Sequence, residues 1–163
     1  MKYHVFKPDS CSIRKALRST AVVCSLLPLA MVTPGLAEPA GTVKTSKGSA
    51  SIHRQGQILP VEPGTMVDTG DRVVTGANSA VGIVLRDNTS LTAGPNSQVD
   101  LHKFSFNSTT HAGELDASVK RGTLAVISGK VAKANPESVR FATASMTLGV
   151  RGTEFVIEAA EGE

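Results

Sequence analysis

The sequence predicts an all-β fold, a single domain of many short strands, and three observations carry that expectation. Beyond residue 37, valine, glycine and threonine number 14, 14 and 13, about a third of the 126 residues there. β-Branched side chains favour a pleated, half-buried backbone, and glycine favours the turns between strands. Turn-forming groups also recur at short intervals: Lys47-Gly48, Gln55-Gly56, Pro63-Gly64, Thr69-Gly70-Asp71, Gly76-Ala77-Asn78, Asp87-Asn88, Gly94-Pro95-Asn96, Arg121-Gly122 and Ser128-Gly129. Finally, no stretch after residue 40 sustains the apolar spacing of three and four that marks a helix.

The chain opens on residues 1–37, which read as a cleaved secretory signal peptide. Lys2, Lys7, Arg14, Lys15 and Arg18 form a basic leader, Ala21 to Val32 a short apolar run, and Gly35-Leu36-Ala37 sets small residues where a signal peptidase reads. The apolar run falls short of the roughly 20 residues a spanning helix needs, so cleavage after Ala37 is expected over an uncleaved membrane anchor. Both cysteines, Cys11 and Cys24, lie inside this segment. Val23 is too bulky to precede a lipid-modified cysteine, so the mature chain is cysteine-free and relies on its core rather than on disulfides.

Cleavage also removes the basicity of the chain. Five of 17 Lys and Arg residues leave with the signal and 12 remain; one of 14 acidic residues leaves and 13 remain, so the formal charge falls from +3 to −1. A basic footprint for nucleic acid or anionic membrane is therefore absent from the mature chain. Residues 38–163 are the length of one domain.

Strands are expected in order at 41–46, 49–53, 57–61, 72–75, 79–86, 89–92, 97–103, 114–120, 122–128, 138–142 and 153–158. In 79–86, Val81, Ile83 and Leu85 line one face and Ala80, Gly82 and Val84 the other, which reads as a strand covered on both sides. Val99 with Leu101, and Leu124 with Val126, alternate with polar neighbours and read as one-sided. Ser105 to Ala112 and Lys130 to Glu137 read as the loosest segments. Strands this short build a sandwich, a small barrel or a twisted solenoid, and periodicity does not choose among them.

The run Leu148 to Ile157 reads as a tight turn, with Gly149 and Gly152 around Arg151, feeding a strand. Its Gly149, Val150, Arg151, Gly152, Thr153 and Phe155 resemble the Gly-Val-Arg-Gly-Thr-x-Phe signature of the FecR-domain family, named for a ferric-citrate regulator of Gram-negative bacteria. Further elements follow in that family's order. Gly41-Thr42-Val43 and Gly48 to Ile52 resemble its first strand pair, Leu59 to Thr65 its next turn, and Gly70-Asp71-Arg72-Val73-Val74-Thr75-Gly76 its Gly-Asp-x-apolar-x-Thr-Gly element. Asp87 to Leu91 parallels its Asp-Gly-Ser turn with Asn88 in the glycine position, a mild departure because asparagine tolerates a left-handed backbone. Gly122-Thr123-Leu124 resembles a later strand start.

The resemblance implies a twisted β-solenoid-like or sandwich-like domain that binds or signals outside the cytoplasm, periplasmic or secreted, of a Gram-negative bacterium. Sigma-regulating members carry a cytoplasmic region before the membrane and a signalling subdomain after this domain. Only about 20 residues precede the apolar run here, and the chain ends at Glu163, so a stand-alone FecR-domain protein is expected rather than a sigma regulator. The partner implied is a protein or envelope component; an envelope or iron-related signalling role with a transmembrane partner is the alternative.

Catalytic groups do not converge in the sequence. The mature chain holds His53, His102 and His111 but no Cys, Tyr or Trp, and no serine sits in a Gly-x-Ser-x-Gly elbow. His102 and His111 read as solvated, no histidine pair has metal-ligand spacing, and neither enzyme activity nor a cofactor is expected. Asp68, Asp71, Asp87 and Asp100 match no calcium loop and read as turn caps. Arg151 reads either as an internal pair locking the last strand or as a fork for a carboxylate ligand. Phe104 and Phe106 share one face of an extended segment and are the candidate partner contact, with core packing at a strand end as the competing role. Phe141 and Phe155 are assigned to the core.

Overall fold

Short β-branched runs, interrupted by residues that accept a positive φ, pair here into one curled sheet. The computed structural model describes residues 38–150 and 154–160. The strands are β1 (Gly41–Lys47), β2 (Ala50–Arg54), β3 (Gln57–Pro60), β4 (Met66–Val67), β5 (Arg72–Thr75), β6 (Ala80–Leu85), β7 (Ser90–Ala93), β8 (Gln98–Phe106) and β9 (Gly113–Ile127). A short helix α1 (Lys130–Ala134) and a 3₁₀ turn (Pro136–Ser138) follow, then β10 (Val139–Ala142), β11 (Thr147–Gly149) and β12 (Glu154–Ala159). The all-β single domain is as expected, and its sheet is a curled, antiparallel half-barrel.

The longest strand, β9, organises the rest. Its first half pairs with β8 on one side and, in parallel, with β10 on the other; its second half pairs antiparallel with β7 and β12. One arm of the sheet therefore runs β3-β2-β5-β8-β9-β10-β11, and the other β4-β1-β6-β7-β9-β12. The chain crosses from arm to arm at many of its loops, while β2–β3, β6–β7, β8–β9 and β10–β11 are antiparallel neighbours within one arm and β9–β10 is the one parallel pairing among the described residues.

The core lies between the arms. Val43, Ile52, Val81, Leu85, Leu115, Val119, Leu124, Val126 and Phe141 are all under 3 % exposed. Alternation on β6 buries Val81, Ile83 and Leu85 and leaves Ala80, Gly82 and Val84 half-buried, so this strand is sealed on one face only, short of the two-sided cover its sequence implied. Val99, Leu101, Leu124 and Val126 point inward as their patterns required.

Other departures have local causes. The expected break at Arg121-Gly122 is a bend within β9, where Gly122 (φ +81°) turns the strand from one arm into the other. Residues 130–137, read as loose, hold α1 and the 3₁₀ turn; Asp87 holds that helix start by accepting from Lys130 N at its carbonyl (2.8 Å) and from Val131 N at its carboxylate (3.4 Å). β4 and β11, two and three residues long, went unread because alternation needs more residues to show. Asn88 has φ 68°, the left-handed turn its position demanded. The signal segment 1–37, with Cys11 and Cys24, lies outside the described residues.

Candidate functional site

Three regions concentrate polar or exposed apolar groups. On the outer face of the first arm, register sets His53 opposite Arg72 and Arg72 opposite Asp100, so three neighbouring strands carry one polar row. Arg54 grips Asp71 with both ends of its fork, Nε to Oδ1 at 2.7 Å and Nη2 to Oδ2 at 2.6 Å, while Nη1 meets Asp68 at 2.7 Å. Asp71, 1 % exposed, also accepts from Asp68 N at 2.7 Å. Arg72 binds Asp100 in the same forked manner, at 2.6 and 3.0 Å. A hollow of about 380 Å³ opens beside this row, lined by His53, Gly56, Gly70, Arg72, Asp100 and His102.

These charges stabilise the fold. The hydrogen bond to Asp71 raises the Arg54 pKa, burial works against it, and the charges of Asp71 and Asp68 add to the rise. Arg72 is raised first by its hydrogen bond to Asp100 and then by that charge. A raised arginine pKa contributes stability that is fully present below the unfolded-state value, so the contribution of both guanidinium groups persists through neutral and mildly alkaline pH. Of the four aspartates read as turn caps, Asp71 and Asp87 do accept turn amides, whereas Asp68 and Asp100 serve as arginine partners. Arg54→Lys, which cannot reproduce the fork, is expected to lower stability by about 1–2 kcal/mol in urea unfolding, because Asp71 stays buried with a poorer partner.

Each histidine has a local partner. His102 is exposed, as read, and its Nε2 lies 2.9 Å from Oγ of Ser118, which is 3 % exposed. His53 Nε2 contacts Ser51 Oγ at 3.3 Å, and His111 stacks on Phe106 with ring centroids 6.3 Å apart. Among the described residues no group of three His, Cys, Asp or Glu is placed to hold a metal ion, and no helix is long and apolar enough to cross a membrane.

The second region surrounds the candidate contact pair. Phe104 and Phe106 are half-buried and pack against the core, and Phe104 lies under the Arg86 guanidinium at 5.9 Å. Arg86 also pairs with Glu38. Phe106 borders a hollow of about 610 Å³ with Glu38, Arg86, Asn107, Ser108 and Thr109. The loop beyond is ordered by Asn107, whose Oδ1 accepts from Thr109 N (2.9 Å) and Thr110 N (3.0 Å). If these rings chiefly pack, Phe104→Ala costs about 2–3 kcal/mol of stability, read as a lowered urea midpoint.

The third region is the signature itself. Gly149 ends β11 and is exposed, Val150 is 6 % exposed within the core, and Phe155 on β12 is half-buried with its ring edge-on to Phe141 at 5.3 Å. Arg151, Gly152 and Thr153 lie outside the described residues, and with them the choice between the two roles of Arg151. A groove of about 410 Å³ runs beside β11 and β12, lined by Met146, Leu148, Val150, Phe155, Val156 and Ile157. Met146 and Val156 are 56 % and 68 % exposed, and β12 pairs with β9 alone among the described strands. No sequence pattern announced this open edge, because edge position is a property of topology.

The upstream motif has a structural explanation too. In Gly70 to Gly76, Asp71 holds Arg54, and the buried Thr75 hydroxyl donates to Gly94 O at 2.6 Å and accepts from Ser97 N at 2.8 Å. The motif thus ties β5 to the turn before β8. No curated protein and no solved structure matches the chain. The family model described as FecR protein matches residues 71–163, from that buried aspartate through the signature and last strand. That span is more than half of the chain, and the protein belongs to the FecR family of regulatory, signalling-related domains.

Proposed function

We propose that this chain is a non-catalytic FecR-domain binding module, periplasmic or secreted, that holds a protein or another cell-envelope component. The edge at the signature carries this reading: among the described strands β12 pairs with β9 alone, and Met146 and Val156 expose apolar surface beside a groove. Free strand edges with apolar neighbours are natural places for another chain to add. The ledge of Phe104 and Phe106 is a second, smaller contact, since both rings retain partial exposure. Family membership favours a role in signal transduction alongside a transmembrane partner as the second reading. Residues 1–37 fit this proposal as the export signal, because strand β1 begins only a few residues past Ala37.

Native gel filtration of the tagged full-length product from a periplasmic extract tests the proposal. Glu38 as first residue and elution as a complex heavier than the 126-residue chain are expected. A precursor retained in the cytoplasm, or a lone monomer in the periplasmic extract, contradicts it.

A further inference from the structure

This inference deepens the binding reading above and rests on it. Glu154, Val156 and Glu158 occupy alternate positions on β12 and are all exposed, whereas Ile157 is buried and Phe155 half-buried. On β9 their cross-strand neighbours are Ile127, Ala125 and Thr123. Neither glutamate therefore meets a cation across the strand pair, and neither has an ion-pair partner among the described residues. The other side of β12 carries no strand among those residues.

We propose that this side of β12 accepts, as an added strand, an extended segment of a partner protein with the pattern basic–apolar–x–apolar–basic. Strand geometry assigns each position. Directly opposed side chains stand about 5 Å apart, so the outer residues of the added strand face Glu154, Val156 and Glu158 in turn. Lysine or arginine opposite each glutamate supplies a countercharge that no described residue provides, and an uncharged residue suits Val156. The two intervening residues point to the other face, that of half-buried Phe155 and buried Ile157, and are therefore apolar. The same charges disfavour antiparallel pairing with a second copy of this chain in that register. Antiparallel self-pairing centred on Val156 would set Glu154 against Glu158 twice, and like charges directly opposed destabilise a strand pair.

The test uses full-length protein purified from its native compartment and a short labelled peptide centred on Lys-Val-Thr-Val-Lys, compared with its Glu-Val-Thr-Val-Glu counterpart by fluorescence anisotropy. The basic peptide is expected to bind about tenfold more tightly at low salt, and the double variant E154K/E158K to reverse the preference. Equal binding of the two peptides, or a preference untouched by the double variant, overturns the proposal. In cells, a photoreactive residue replaces Val156 in one strain and Phe106 in another. An adduct from position 156 to a basic, strand-forming segment supports the proposal, and an adduct there to a segment lacking that pattern overturns it. Adducts from position 106 alone overturn the edge assignment and leave the binding module standing. Adducts from neither position overturn both.

Discussion

Asp87→Ala is expected to destabilise the domain by about 3–4 kcal/mol, lowering the melting temperature by about 10–15 °C. Asp87 is fully buried in the turn between β6 and β7. Its Oδ1 accepts from Thr89 N at 3.0 Å, and its Oδ2 accepts from Thr89 Oγ1 at 2.7 Å and from Val131 N at 3.4 Å. The Thr89 hydroxyl in turn accepts from Gly129 N at 3.0 Å. One carboxylate therefore holds a tight turn and, 44 residues on, the start of α1. Alanine leaves buried donors without acceptors, each costing about 1–3 kcal/mol. Asp87→Asn keeps the shape and one good acceptor, so its loss should be about half as large. Equal stability of the alanine variant and the parent in urea unfolding would contradict this account of the turn.

Gly122→Ala is the other large effect, at about 3 kcal/mol or more. At φ +81° an L-residue is strained by about 1–2 kcal/mol, and the added Cβ would also stand 2.6 Å from Ser97 Cα and 2.9 Å from Asn96 O. Both are backbone atoms, so the turn before β8 has to move. That movement disturbs the Ser97 hydroxyl, which accepts from Thr123 N at 2.9 Å and donates to Thr123 O at 3.0 Å. Gly56→Ala is the control: its φ is +83° and its Cβ would meet nothing within 4 Å, so only the backbone strain remains. The expected ordering in thermal melts is Gly122→Ala well below Gly56→Ala, and similar losses would show that the close approach has no energetic weight.

Gly122 also shows where sequence legibility ended. Most strands could be read because glycine and asparagine mark their ends, and β-branched residues alternate between them. Arg121-Gly122 carries the same mark, yet β9 continues through it because strands pair on both sides of the bend. Helix α1 is five residues long and is held by Asp87, a contact across the fold that no local pattern contains. The same limit hid the charge cluster: 17 residues separate Arg54 from Asp71, and 28 separate Arg72 from Asp100. Only the register of β2, β5 and β8 brings them together. The signature was legible as a motif, and Val150 and Phe155 have core roles that its apolar letters imply. Its neighbouring feature, the side of β12 that no described strand occupies, follows from which strands pair and was invisible in the letters.

The most direct test of the binding-module account is crosslinking in intact cells with a C-terminally tagged chain, followed by mass spectrometry that maps the joined residues. The account predicts a reproducible partner joined within 141–160 or 104–112 and lost in Val156→Asp, whose folded state is confirmed by an unchanged melting curve. A protein recovered alone, or a partner joined elsewhere and indifferent to that substitution, would contradict it.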